Sequence, residues 1–502
     1  MSGFVGLLHA ELTKFRSVRG WVIGCGLAVF VMLLFAGLAG AGSSHTGGGP
    51  GGGGKAPTGP DGLPVLDGLT LVHQPLDGDG TLTVRVASLI GSEPPEGAHD
   101  GVAPTAPQRP VTPPPAPAEP WAKAGLIVKS GTAPGSAYAA VMVTGAHGVR
   151  MQHNYIHDQA GPADAQWLRL VRTGGTVTGY ASADGTAWTQ VGTAALAAGD
   201  ATAGIFVATP GHEEFEQFLG GSSSIGGKVI ATGTFDNLAI SGGHPGAGWS
   251  TVDVSSASDP LAPPVVSTRT GDTFTVQGSG DVAPTTGGPG PKLEQTLVGS
   301  FAALTVVAVL GVLFVTTEYR RGLVRTTFTT TPGRIRVLAA KAVVLGAITF
   351  VVGLIASTGA VLLGKAILGG DDYPATVGTH IRLVVGTAAL LAVAAVFALA
   401  IGTILRRGAG AVAAVVVLIT LPYILSVAAV LPAVPAQWVL RLTPAAAFAV
   451  QQTLHAWPQV YQAYTPAFGY FPLSPWGGFA VLCGWTAAAL AIAAVLLRRR
   501  DA

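Results

Sequence analysis

The chain has 502 residues, 49% apolar and only 11% charged, with a mean hydropathy of +0.50 and a formal net charge of +2. That balance is too apolar for a soluble protein of this length and indicates several membrane spans. The small net charge hides a split: residues 43–296 hold 11 Lys/Arg against 21 Asp/Glu, whereas the rest holds 17 against 5. Basic residues that adjoin apolar runs face anionic lipid, and their placement argues against a nucleic-acid partner. The two cysteines, Cys25 and Cys483, both lie in apolar runs, so a disulfide framework and a cysteine-built metal site are excluded.

Residues 1–20 read as a cytoplasmic amphipathic interface helix. Phe4, Leu8, Leu12 and Phe15 recur at helical spacing, with His9, Glu11, Lys14 and Arg16 on the other side. A signal-peptide n-region is disfavoured by Glu11 and by the length of the following apolar run. Span 1 follows at 21–41. A Gly-rich linker occupies 42–64. Residues 65–281 show short alternating runs, among them LTVRVASLI, AGLIVKSG, YAAVMVTG and TAGIFVAT, bounded by turn residues. They predict an extracellular all-β sandwich or jelly roll between spans 1 and 2, with a Pro-rich insertion at 91–120. Asp184-Gly185 marks a hairpin. A second linker is expected at 282–296.

Five further apolar runs, at 297–316, 342–364, 383–404, 411–431 and 477–497, are each long enough to cross a hydrocarbon core of about 30 Å. The fold class is therefore a six-span α-helical membrane domain plus an inserted β-sandwich, with 342–502 holding spans 3–6. With the N-terminus inside, every inner segment is basic: Lys14, Arg16 and Arg19; the segment 317–341; Arg406 and Arg407; and Arg498–Arg500. Six alternating spans predict this pattern, with both termini cytoplasmic and about 42–296 extracellular. The segment 317–341 is the most informative. It carries Arg320, Arg321, Arg325, Arg334, Arg336 and Lys341 against one acid, Glu318. A retention signal needs no acid, so the segment reads as a docking surface for a soluble partner.

Several motifs lead nowhere. GPGGGGKA at 49–56 ends in Ala where a phosphate-binding loop needs Ser/Thr. HEEFE at 212–216 lacks the second His of a zinc protease, and its acids sit in a Gly-rich setting with no partner for glycoside hydrolysis. His153 and His157 share a face at strand spacing and read as surface polar residues rather than a metal site. Ser182–Trp188 reads as a hairpin with a packed Trp. No ionisable residue falls near a span centre, as expected of an externally powered carrier.

The stretches AELTKFRSVRGW, EYRRGLVRTTFTTTPGRIRVLAAK, LRLTPAAAFAVQQ and LLRRRDA, in this order, resemble the membrane subunits of bacterial type-2 ABC transporters. The resemblance covers 1–41 and 297–502. It implies a non-catalytic permease subunit of an ATP-binding-cassette exporter. A second permease subunit would pair with it, identical or not. A separate ATP-binding subunit would bind ATP and Mg, leaving no cofactor in this chain. Carried onto this sequence, coupling to that subunit falls on Glu318, Tyr319, Arg320, Arg321, Gly322, Arg325, Thr326, Thr327, Pro332 and Arg334. The interface helix contributes Glu11, Lys14, Phe15, Arg16 and Arg19. The stretches PLDGDGTLTVRVAS, WAKAGLIVKS, WLRLVRTGGTVTGYASADGTAWTQVG and TFDNLAI resemble concanavalin A-like lectin/glucanase sandwiches. In those, a segment like WSTVDVSS…DTFTVQGSGD precedes the GDGT strand; here it follows. No sugar-contact pattern is matched residue by residue, so carbohydrate binding does not carry over; a glycan or the exported substrate is the candidate partner of this ectodomain. The alternative function is a membrane-anchored glycan-binding or sensing protein.

Overall fold

A computed structural model describes residues 2–43, 56–92, 115–218, 221–227, 229–242, 248–254, 266–285, 293–320, 333–367, 377–460, 464–466 and 469–499. It contains a β domain and six helices long and apolar enough to cross a membrane.

Helix α1 spans Ser2–Ser17 and α2 spans Arg19–Ser43. After the β domain come α3 (Ser300–Arg320), α4 (Arg334–Ile367), α5 (Val377–Leu405), α6 (Gly408–Val427), the short α7 (Ala433–Leu442) and α8 (Pro475–Arg499). Helix α6 carries a π-turn over Val416–Thr420, directly before Pro422. A wider turn there accommodates the proline, which has no N–H to donate and crowds the preceding turn. Helices α3 and α5 form the centre of the bundle and are mostly buried, whereas α2 is mostly exposed. Val22, Ile23, Leu27, Phe30 and Leu34 of α2 are exposed and fit a lipid or subunit contact.

Small residues let the helices close. A Cβ on Gly353 of α4 would stand 2.7 Å from Ala388 Cα of α5. Gly353→Val is therefore expected to lower stability by about 1–3 kcal/mol through overpacking, read as an earlier thermal unfolding of the full chain in detergent.

The β domain places two antiparallel sheets face to face. One runs β11-β10-β9-β3-β15-β18-β17, with β9 at Trp167–Thr173, β17 at Ser267–Thr270 and β4 (Pro115–Ala116) on β3; the other runs β16-β2-β12-β5-β6-β7-β8, with β6 at Tyr138–Thr144, β7 at Val149–His153 and β8 at His157–Ala160. The central strands are β3 (Gly80–Ser92), β15 (Ala231–Gly242), β12 (Asp200–Ala208) and β5 (Lys123–Lys129). Alternating residues such as Leu82, Val84, Leu126, Val128, Ile205 and Phe235 fill the core between the sheets. The late segment completes both sheets: β16 (Ser250–Asp253) pairs with β2 (Thr70–Asp77), and β18 (Thr273–Gly278) pairs with β15. The Asp184-Gly185 turn follows β10 (Thr176–Ser182) and leads to its partner β11 (Thr189–Ala195), with Gly185 at φ +77. Trp188 there lies under the Arg169 guanidinium, 3.8 Å from the ring centroid.

Two features differ from the sequence expectations. Strand β13 (His212–Phe218) pairs antiparallel with β14 (Gly221–Gly227), where a Gly-rich loop was expected. The expected second linker, 282–296, begins with a strand. β1 (Val65–Asp67), at the domain entry, pairs with β19 (Val282–Pro284), at its exit. This strap covers the outer face of the seven-stranded sheet. Val65, Leu69 and Val282 pack there on Ile127, Tyr138, Met142, Tyr155 and Phe206. Strand β5 is consequently buried on both faces. Its Lys123 and Lys129, six residues apart and on the covered face, pair with Asp281 (2.5 Å) and Asp67 (2.7 Å) of the strap segments. The β7–β8 turn adds a contact to the membrane domain, where Gln459 Nε2 donates to the carbonyls of Tyr155 (3.4 Å) and Ile156 (3.3 Å).

Candidate functional site: a charged node at the basic end of the helix bundle

On α1, Glu11, Lys14 and Phe15 are three and four residues apart and share one face. That face turns into the protein. Glu11 and Phe15 are buried, while Phe4 and Val5 are exposed. Glu11 thus lies on the packed side of the helix, with Phe15, and away from the polar side expected for it. On α3, Glu318 stands one turn beyond Phe314. On α4, Lys341 stands two turns beyond Arg334.

These side chains meet. Lys341 Nζ donates to Glu11 Oε2 at 2.8 Å and to Glu318 Oε1 at 2.6 Å. Lys14 pairs with the same Glu318 oxygen. Glu11, Glu318 and Lys341 are each at most 5% exposed. Two buried acids are thus balanced by buried Lys341 and by Lys14, which is partly exposed at the rim of the node. An aromatic cluster walls the node. Phe15, Trp21 and Phe314 lie 5.0–5.7 Å apart by ring centroid, and Lys341 Nζ is 4.7 Å from the Phe314 centroid. The arrangement binds α1, α3 and α4 into one unit at the edge of the basic segment.

The other expected site residues are distributed around it. Tyr319 lies beneath the Arg406 guanidinium, 5.1 Å from its ring centroid. Arg334 Nη1 donates to the Leu497 carbonyl at 2.9 Å and so ties α4 to the end of α8. Arg16 and Arg19 are exposed. Arg320 is the last residue of α3. Arg321, Gly322, Arg325, Thr326, Thr327 and Pro332 lie outside the described residues. Sequence reasoning overlooked Lys341 as a structural partner, together with Phe314, Trp21 and Arg406. The available signal was the position of Lys341 two turns into an apolar helix, where an unpaired cation is costly.

The opposite end of the bundle holds a second polar node. All residues of the 3-10 helix Pro444–Gln451 are buried. Gln451 Nε2 donates to Ser300 Oγ (2.9 Å) and Thr387 Oγ1 (3.1 Å), linking this segment to α3 and α5. Arg382 Nη2 donates to the Gln452 carbonyl at 2.8 Å, and Tyr423 stacks on Phe448 at 4.0 Å. In the β domain, His153 and His157 face each other across the β7–β8 hairpin, stacked at 4.3 Å. Among the described residues no cluster of three or more His, Cys, Asp or Glu could hold a metal.

A family model for ABC-2 family transporter proteins matches residues 174–502. The chain belongs to that family. It is a multi-pass membrane protein and a permease component of an ABC transporter, a class that works with an ABC ATP-binding subunit. No curated protein matches the chain. Among solved structures, a functionally unknown protein from Saccharomyces cerevisiae is 13% identical, covering 34% of this chain and 74% of its own, with a TM-score of 0.18. SCP-B, a member of the Eqolisin family of peptidases solved with the tripeptide Ala-Ile-His, is 9% identical, covering 42% of this chain and 98% of its own, with a TM-score of 0.23.

Proposed function

We propose that this chain is the membrane subunit of an export-type ABC transporter. ATP and Mg are held by the separate subunit, which docks at the cytoplasmic end of α3, α4 and α1. The observation that carries the docking site is the charged node. It fixes the two helix ends that flank 321–332, and the interface helix, as one lever. In this role Glu318 and Glu11 brace the lever, while the arginines beyond α3 grip the partner through charge-assisted contacts. The permease works as a pair with a second copy or a related chain, and the weakly buried α2 supplies apolar surface for that pair or for lipid. The β domain stands on the outer side, a placement that the charge bias of the inner segments supports. It receives or gates the exported molecule above the bundle, as a lectin-like sandwich inserted between the first two spans.

Co-purification tests this reading. The intact chain in mild detergent should bring down an ATP-hydrolysing subunit. An Arg320→Ala/Arg321→Ala/Arg325→Ala variant should lose it while keeping its own thermal stability. An ATPase retained by both forms leaves the permease and removes the proposed grip. An intact chain that never yields an ATPase overturns the transporter assembly as drawn.

A further inference from the structure

Lys129 and Asp67 are enclosed completely, with no exposed side-chain surface on either. Lys129 Nζ is 2.7 Å from Asp67 Oδ2. The Tyr155 hydroxyl touches both groups, at 2.7 Å from Oδ2 and 3.1 Å from Nζ. The backbone N–H of Gly135 donates to the same carboxyl oxygen at 2.8 Å. The rings of Tyr138 and Tyr155 stand 5.8 and 5.6 Å from Nζ. Asp67 Oδ1 is buried with no hydrogen-bond partner among the described residues. Tyr155 itself sits in the left-handed region, at φ +71, a costly conformation for a bulky residue. That backbone twist delivers its hydroxyl between the amine and the carboxyl.

This is the inventory of an amide-forming site: a nucleophile, an electrophile, a group able to pass a proton between them, and a backbone N–H held on Oδ2, the oxygen that leaves. Water, which would hydrolyse or solvate the reactants, is kept out. We propose that Lys129 and Asp67 condense autocatalytically into an intramolecular isopeptide bond, with the Tyr155 hydroxyl as the proton relay. The buried ammonium first gives one proton to the carboxylate, which leaves a neutral amine and a carboxylic acid. Nζ attacks Asp67 Cγ. The second amine proton passes through the Tyr155 hydroxyl to Oδ2, and the C–Oδ2 bond breaks. Oδ2 leaves as water, and Oδ1 remains as the amide oxygen. One N–C bond replaces one C–O bond, with no change of oxidation state. Burial favours the first step, since desolvation draws the Lys129 pKa down against the opposing pull of Asp67. The product holds no buried charge, so the desolvation penalty of the ion pair disappears.

The second pair provides a contrast within the same strap. Lys123 Nζ contacts Asp281 Oδ1 and the Val282 carbonyl. Its described partners include no hydroxyl between amine and carboxyl, so it stays an ion pair. The bond at Lys129 welds the domain entry to the central strand β5.

Intact mass spectrometry of the purified full-length protein decides the matter. The expected mass is lower than that of the sequence by one water, and fragmentation should locate the link between the peptides containing Asp67 and Lys129. Asp67→Asn should link with loss of ammonia in place of water. Tyr155→Phe should restore the unlinked mass or slow its conversion over time after synthesis. Full mass with separate peptides in the folded wild-type protein overturns the proposal. A link through Lys123 overturns it as well, and undiminished linking in Tyr155→Phe removes the relay.

Discussion

Lys341→Met is expected to lower the stability of the membrane domain by about 3–5 kcal/mol, the range for removing one partner of a buried ion network. Lys341 holds both Glu11 and Glu318. Without it, Glu318 keeps Lys14, but Glu11 is left as a buried carboxylate facing an apolar wall. The methionine fills the space against Phe314, so the loss reports charge imbalance more than packing. The triple change Lys341→Met/Glu11→Gln/Glu318→Gln should recover much of the deficit, because it removes the buried acids along with the cation. Thermal unfolding of the full chain in detergent measures both. Equal stability of the single variant and the wild type would show that the node does not hold α1 against α3 and α4. On the docking proposed above, recruitment of the ATP-binding subunit should also fall with the single variant.

The second large effect is in the β domain. Asp281→Ala leaves Lys123, which has no exposed surface, without its counter-ion. A loss of about 3–5 kcal/mol is expected, concentrated where the strap meets the sheet. Hydrogen exchange in the full-length protein should show faster exchange in β5, β12 and β19, while α3 and α5 remain protected. Asp281→Ala/Lys123→Met should return most of the protection, because an apolar side chain suits a face lined by Phe206 and Met142. Unchanged exchange in the single variant would mean that the strap is held by its apolar contacts alone.

The six membrane helices were legible because a run of about 20 apolar residues leaves few alternatives. Alternation made strands such as β3, β5 and β12 legible in the same way. The pairing of β13 with β14 was not, because its second strand, GSSSIGG, is rich in Gly and Ser and carries little strand preference. Glu318 stood out in the sequence as an acid among arginines, and it is a member of the charged node. Its partners were hidden, because Lys14 lies 304 residues away in the chain and nothing local specifies that pairing. The buried role of Lys123 and Lys129 was hidden for the same reason. A strand reading KAGLIVK places its lysines at its two ends, where solvent is the default, and only the long-range arrival of the strap buries them.

The pairing of β1 with β19 sets the order in which the β domain can mature. Strand β19 ends at Pro284, so 155 residues must follow Lys129 before the strap can close over it. At typical synthesis rates this is roughly ten to thirty seconds. For that interval the outer face of β5, with Ile127 and with Lys123 still awaiting Asp281, is uncovered by β19. The domain is thus completed last at the seam that joins it to the membrane, and any factor that protects the nascent chain must cover that face until α3 begins to insert.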